Sequence, residues 1–160
     1  MKPDKTPRRY MEQTLVKPIY LFLLFMMGLT GFGQMPIFKR YYIADIPGLA
    51  WTAKFYVTHY LHYLGAILLF FLVVYGVVVY LGLMRQSYTL SRAAYVRIIL
   101  LAAIIITGIF RVLKNLPEVV FSPSFTMFID VSHLAFMMLL MIFGIVFSIT
   151  RSDWLVPRNP

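Results

Sequence analysis

The chain contains no cysteine. Without thiols it cannot form a disulfide, ligate an iron–sulfur cluster through thiolates or attach a c-type haem covalently. Acidic side chains are also scarce, with six Asp and Glu against fifteen Lys and Arg, and histidine occurs three times. Any metal or redox chemistry must therefore depend on histidine, methionine, tyrosine or a few carboxylates.

Apolar residues make up most of what is present. Of the 160 residues 61% are hydrophobic and the mean hydropathy is +0.79, whereas soluble domains contain roughly 45–50% apolar residues. Four apolar segments, separated by charged or proline-containing stretches, cover residues 18–38, 52–83, 93–113 and 125–150. Since about 20 helical residues cross a bilayer, the sequence predicts an all-α membrane protein, a four-helix bundle in a single membrane domain, 1–160. The sequence by itself suggests no internal repeat.

The positive charge follows the apolar segments. The net charge is +9, but the cations flank the segments instead of forming one soluble face, so we expect contact with membrane lipid and not with nucleic acid. Ten of the fifteen Lys and Arg lie in the N-terminal tail, the second connection and the C-terminus. The positive-inside rule therefore predicts that both termini are cytoplasmic.

All three histidines lie inside the predicted helices, His59 and His62 in the second and His133 in the fourth. An ionisable ring in hydrocarbon is costly, which makes each a functional candidate. His62 lies ten residues after Thr52 and His133 eight residues after Phe125, and both segments start on the same side, so the two rings lie at nearly the same depth. Paired imidazoles from facing helices are recurrent axial ligands of haem. This spacing predicts one b-type haem between His62 and His133.

Other interpretations of the histidines stay open. Hydrogen bonds to Ser, Thr or a backbone carbonyl would make His62 and His133 structural links between helices. His59 is the fallback for His62 as iron ligand, or it contacts a propionate or a quinone, or it has a plain interfacial role. A zinc site of three histidines lacks a fourth ligand and is the weakest interpretation.

Charged residues near the same ends of the helices are candidates for haem propionates. Lys54, Arg111 and Lys114 are predicted to bind them, although each is also explained as a snorkelling or loop cation. Asp130, one turn before His133, is a candidate to exchange a hydrogen bond or a proton at this surface. The alternative for Asp130 is a favourable acid in the first turn of the fourth helix.

Short motifs along most of the chain form a recognisable order. They are Leu29-Thr30-Gly31 late in the first helix, His62 in His-Tyr-Leu-Gly-Ala, Thr107-Gly108, His133, and the exit from Arg151 to Trp154. This order resembles the cytochrome b subunits of membrane-bound formate dehydrogenases and nickel–iron hydrogenases. Members of that family carry two haems, and the histidines of the cytoplasmic one correspond here to Pro18 and Phe147. The resemblance therefore implies a single-haem variant that keeps the extracytoplasmic haem on His62 and His133.

The resemblance also implies a function. We expect a subunit of the bacterial inner membrane that transfers electrons between a quinone pool, menaquinone or ubiquinone, and an iron–sulfur or multihaem partner. The topology predicts that this partner is extracytoplasmic. The chain would be an electron-transfer subunit of an oxidoreductase complex and not a catalyst alone. Quinone would contact His59, Tyr60 and Asp130 near the outer haem. Alternatives are a cofactor-free membrane anchor and a small transporter or channel, but the cytoplasmic halves of the second and fourth helices offer few polar residues for a pathway.

Overall fold

The computed structural model describes residues 16–35 and 43–158. Within them lie four long helices: α1 Val16–Gly33, α2 Phe55–Val79, α3 Arg92–Leu113 and α4 Pro123–Ile149. A five-residue π-helical segment, Tyr80–Met84, continues α2. All four are long and apolar enough to cross a membrane, so the predicted transmembrane helices are confirmed and the chain is a multi-pass membrane protein.

Local sequence sets where α3 and α4 begin. Ser91 caps α3 by accepting the N–H of Ala94 at 3.0 Å. Ser122 caps α4 by accepting the N–H of Phe125 at 3.3 Å, and Pro123 follows it. Serine caps satisfy a backbone donor that the helix cannot, and proline fits the first helical position because it has no N–H to lose.

The first two helices differ from the predicted segments. The first segment was expected to reach residue 38, but α1 ends at Gly33 and Gln34 and Met35 form a turn; the remainder, 36–38, lies outside the described residues. The second was expected to start at residue 52, but Ala50–Ala53 is a short 3₁₀ turn. Lys54 then has an extended backbone, with φ −85° and ψ 96°, and α2 begins at Phe55.

The chain divides into two compact units, one up to Arg85 and one from Gln86. Each contains one helical hairpin: α1 packs on α2 in the first hairpin, and α3 packs on α4 in the second hairpin. Short 3₁₀ turns, Ile43–Asp45 and Ala50–Ala53, precede α2. The packing of all four helices into one bundle and the cytoplasmic location of the termini stay predictions.

A two-stranded ribbon closes the open end of the second hairpin. Strand β1, Tyr88–Leu90, precedes α3 and pairs antiparallel with β2, Leu155–Pro157, which follows α4. Arg97 of α3 strengthens this closure, because its Nη2 donates to the carbonyl of Ser152 at 2.9 Å. Its guanidinium also lies 4.6 Å from the ring centre of Phe147 and 5.0 Å from that of Trp154. These contacts link α3 to the end of α4 and to the residues that follow it.

Candidate functional site

His62 of α2 is held by a threonine of α1. Its Nδ1 lies 3.0 Å from Oγ1 of Thr30, which is buried. Thr30 Oγ1 also lies 2.7 Å from the carbonyl oxygen of Met26, four residues earlier in α1. A carbonyl can only accept and a hydroxyl has a single proton, so Thr30 donates to Met26 and must accept from the Nδ1–H of His62. In the neutral ring this places the lone pair, and hence the metal-ligating capacity, on Nε2.

His133 of α4 is held in the same way by a threonine of α3. Nδ1 of His133 lies 3.0 Å from Oγ1 of Thr107, and that hydroxyl lies 2.8 Å from the carbonyl of Ala103. The same proton count applies, so Nδ1–H donates to Thr107 and Nε2 of the neutral ring carries the lone pair. Both histidines therefore have the same ring nitrogen bound by the protein.

A glycine follows each of these threonines and lies against the imidazole. A Cβ placed on Gly31 would lie 3.3 Å from Cε1 of His62, and one placed on Gly108 would lie 3.4 Å from Cε1 of His133. The missing side chain thus lets the ring approach the helix backbone in both hairpins. We call Thr30, Gly31 and His62 the first clamp, and Thr107, Gly108 and His133 the second clamp.

The register around the two clamps is the same. Buried side chains occur seven residues before the clamp threonine, four before the clamp histidine and seven after it. In the order first hairpin then second hairpin, they are Leu23 and Leu100, Thr58 and Ile129, and Leu69 and Leu140. The two hairpins therefore share one pattern around the clamps, and we call this shared pattern the repeat. Only a few positions repeat, on an apolar background where most letters interchange, which is why sequence inspection missed it.

His59 lies three residues before His62 in α2. Its Nδ1 lies 3.3 Å from Oε1 of Gln34, and Nε2 of Gln34 donates to the carbonyl of Thr30 at 3.3 Å. The His59 ring stacks on Phe55, with centres 5.3 Å apart and planes 19° apart, and lies 4.4 Å from the ring centre of Tyr63. The adjacent Tyr60 is exposed.

Three of the predicted site residues meet in the second hairpin as an ion triad. Lys114 Nζ lies 2.8 Å from Oδ1 and 2.7 Å from Oδ2 of Asp130. Arg111 Nε lies 3.2 Å from Oδ1 of the same carboxylate. Because α4 begins at Pro123, Asp130 lies about two turns inside the helix, so the alternative of an acid in the first turn is wrong. The other propionate candidate, Lys54, is exposed at the start of α2 in the first hairpin.

The two positions at which the resemblance implies missing ligands have ordinary packing. Pro18 lies exposed in the first turn of α1, where proline costs little because the N–H has no partner within the helix. Phe147 stacks on Phe143, with ring centres 5.7 Å apart and planes 25° apart, and carries the guanidinium of Arg97 on its ring.

Sequence inspection missed the roles of the clamp threonines and of Gln34. A signal was present, because the dipeptide Thr-Gly occurs in the first helix of each hairpin, at Thr30-Gly31 and at Thr107-Gly108. Gln34 lies four residues after Thr30, just past the end of α1, and its side chain reaches back to the Thr30 carbonyl. The ring nitrogen that carries the proton could not be predicted. It follows from the hydrogen bonds that Thr30 and Thr107 donate to carbonyl groups of α1 and α3.

Comparisons with protein-family models, with curated proteins and with solved structures gave no match to the chain. Among the described residues, no three His, Cys, Asp or Glu side chains come together in a group that could hold a metal ion. Each of the two clamps presents a single histidine.

Proposed function

We propose that the protein is a b-type cytochrome subunit that binds one haem b with His62 and His133 as axial ligands. It would pass electrons between a quinone pool, menaquinone or ubiquinone, and an iron–sulfur or multihaem partner. The observation that supports this proposal is the repeated clamp, in which a threonine accepts the Nδ1–H of each histidine.

The donor set suits haem iron. A histidine that ligates a metal almost always donates its other ring N–H to a protein acceptor, which fixes the tautomer and the ring orientation. Thr30 and Thr107 provide that acceptor. A bis-histidine iron needs two such rings, and the chain has two clamps of the same construction. Because Gly31 and Gly108 have no side chain, each histidine ring lies close to the backbone of the neighbouring helix.

A bound haem b supplies one-electron transfer, while the chain supplies ligands, burial and charge. Arg111 and Lys114 are the propionate candidates of the second hairpin and Lys54 that of the first. Asp130 partly neutralises Arg111 and Lys114. Two cations face one carboxylate there, so the triad keeps an excess of positive charge that favours a further anion.

The proposed setting follows the resemblance. The protein would be a single-haem variant similar to the cytochrome b subunits of formate dehydrogenases and nickel–iron hydrogenases, in the bacterial inner membrane with cytoplasmic termini. Its partner would dock on the extracytoplasmic side. Support for this setting comes from the apolar helices, which suit lipid, and from the distribution of Lys and Arg.

A second candidate is a cofactor-free anchor or assembly subunit of a redox complex. It is favoured by the same hydrogen bonds, because Thr30 to His62 and Thr107 to His133 each link two helices, as polar side chains often do in membranes. On this proposal the histidines act as structural links and Nε2 has no metal to bind.

A reduced-minus-oxidised spectrum with pyridine haemochrome quantification separates the two candidates. We expect one haem b per purified chain, lost in His62→Ala and in His133→Ala. His59→Ala is the matched control one turn away and should retain the haem. A correctly folded parent without haem would exclude the cytochrome and favour the anchor; two haems would contradict the single-haem assignment at Pro18 and Phe147.

A further inference from the structure

The repeat brings one more pair of positions together in each hairpin. These are the residue four places after the clamp threonine and the residue three places before the clamp histidine. In the first hairpin they are Gln34 and His59, joined at 3.3 Å. In the second they are Arg111 and Asp130, joined at 3.2 Å. The same two backbone positions thus carry different chemistry.

The pair in the second hairpin is part of the ion triad, in which Asp130 is bound by two cations. Both oxygens of Asp130 lie within 2.8 Å of Lys114 Nζ, and Arg111 adds a third contact. A carboxylate with these partners is occupied as an acceptor, and its removal from them would leave two cations uncompensated. The second pair is therefore poorly suited to bind a neutral ligand.

The pair in the first hairpin is neutral, and its hydrogen bonds have a defined direction. Gln34 Nε2 donates to the carbonyl of Thr30, so the amide oxygen is the atom that faces His59. That oxygen can only accept, and His59 must therefore donate from Nδ1–H. In the neutral ring, Nε2 of His59 is then a hydrogen-bond acceptor.

Two aromatic rings of α2 contact the His59 ring. Phe55 stacks on the His59 ring and Tyr63 lies 4.4 Å from it. Tyr56 and Tyr60, on either side of His59 in sequence, are 85% and 69% exposed. Aromatic side chains favour stacked or edge contacts with another flat ring. An acceptor nitrogen on a ring that already stacks with Phe55 and contacts Tyr63 suits a flat aromatic ligand that carries a hydroxyl group.

We infer that Gln34 and His59 form a binding site for the hydroxyl group of a hydroquinone. Nε2 of His59 accepts the hydroxyl, and Gln34 is the positioning residue that fixes the ring. The inference rests on the proposed quinone-linked function and deepens it, because it adds Gln34 to the site and removes Asp130. It also predicts which redox state of the ligand binds more tightly. A hydrogen-bond acceptor binds the quinol, which has hydroxyl groups, more tightly than the quinone, which has carbonyl groups.

Equilibrium binding of decylubiquinol and decylubiquinone to the purified full-length chain in lipid nanodiscs tests the inference. We expect the parent to prefer the quinol. His59→Leu and Gln34→Leu should each weaken quinol binding about tenfold, the effect of losing one hydrogen bond in a desolvated site. Gln86→Leu, an exposed glutamine in the turn after α2, is the matched control and should bind the quinol like the parent.

Folding and haem content, measured on the same samples, keep the two proposals distinguishable. Should Gln34→Leu fail to fold, Gln34→Asn keeps an amide but withdraws its oxygen from His59, and it must also weaken quinol binding. Quinol binding that His59→Leu and Gln34→Leu leave unchanged, in a parent that carries haem, would overturn this inference while the cytochrome stands. A haem-free parent whose quinol binding depends on both residues would support the site while the cytochrome proposal fails.

Discussion

The two hairpins hold a histidine in the same way but differ one turn away from it. Both clamps use a threonine hydroxyl that donates to its own helix and accepts from the ring. Beside the clamps, the first hairpin has a neutral amide and a histidine, whereas the second has a carboxylate between two cations. A repeated geometry thus identifies positions that are needed in both copies, and the differences identify where the copies have separate roles.

Removal of the clamp threonines should have the largest effect. Thr30→Val and Thr107→Val preserve the shape of the side chain but remove the hydroxyl group that accepts the Nδ1–H of each histidine. Loss of an outer partner of a metal ligand typically costs about 10- to 100-fold in affinity, and we expect haem affinity to fall by this amount in both variants. Titration of apoprotein with haem, followed by Soret absorbance, measures it.

Serine variants provide the control for this experiment. Thr30→Ser and Thr107→Ser keep the hydroxyl and should bind haem close to the parental level. Equal losses in the two valine variants are expected from the matching geometry. A loss confined to one of them would show that the clamps are not equivalent.

Substitution of the clamp glycines tests the equivalence of the clamps by a smaller effect. A methyl group on Gly31 would lie 3.3 Å from Cε1 of His62, and one on Gly108 would lie 3.4 Å from Cε1 of His133, so both meet a ring that a threonine holds in place. Overpacking of this kind costs about 1–3 kcal/mol, whereas alanine favours a helix over glycine by about 1 kcal/mol. Gly31→Ala and Gly108→Ala should therefore each destabilise the fold by a similar amount, about 1 kcal/mol.

Thermal unfolding in detergent, followed by circular dichroism, measures the change in stability. Gly28→Ala is the matched control, because a Cβ there would meet nothing within 4 Å. A loss of stability in only one of the two clamp variants would contradict the equivalence of the clamps.

The location of the helices could be predicted from the sequence, since apolar runs of this length have few alternatives. The predicted segments for α3 and α4, 93–113 and 125–150, match Arg92–Leu113 and Pro123–Ile149 within about two residues. The end of α1 was overestimated because Met35 and the residues after it remain apolar, so hydropathy does not change at Gly33, where the helix ends. Hydropathy depends on amino-acid composition and does not indicate where the backbone hydrogen bonds of a helix end.

The site was predictable in its residues but not in its pairings. Isolated histidines in apolar segments are conspicuous because burial of an ionisable ring needs a reason. The bond from Lys114 to Asp130 joins residues sixteen positions apart, and the clamp bonds join residues 26 and 32 positions apart. Such contacts depend on how the helices pack within a hairpin, so local patterns did not reveal the ion triad, the clamps or the repeat.

Replacement of Gln34 and His59 by the residues at the matching positions of the second hairpin, Arg111 and Asp130, should have the smallest effect. Gln34→Arg with His59→Asp would give the first hairpin the pair of the second. Each single change leaves an uncompensated charge, whereas the double variant restores a pair at the spacing that Arg111 and Asp130 have. The native pair is partly exposed, with 36% and 38% of its side chains accessible. We therefore expect a coupling of only about 0.2–1 kcal/mol, as for exposed ion pairs.

A double-mutant cycle on the free energy of unfolding measures that coupling, with Arg111→Gln and Asp130→His as the reciprocal exchange. Because exposed charges are screened by salt, the coupling should fall when the salt concentration rises from about 0.05 to 0.5 M. A double variant no more stable than the sum of its single changes would show that the two positions do not face each other in the first hairpin as they do in the second. It would thereby limit the repeat to the clamps themselves.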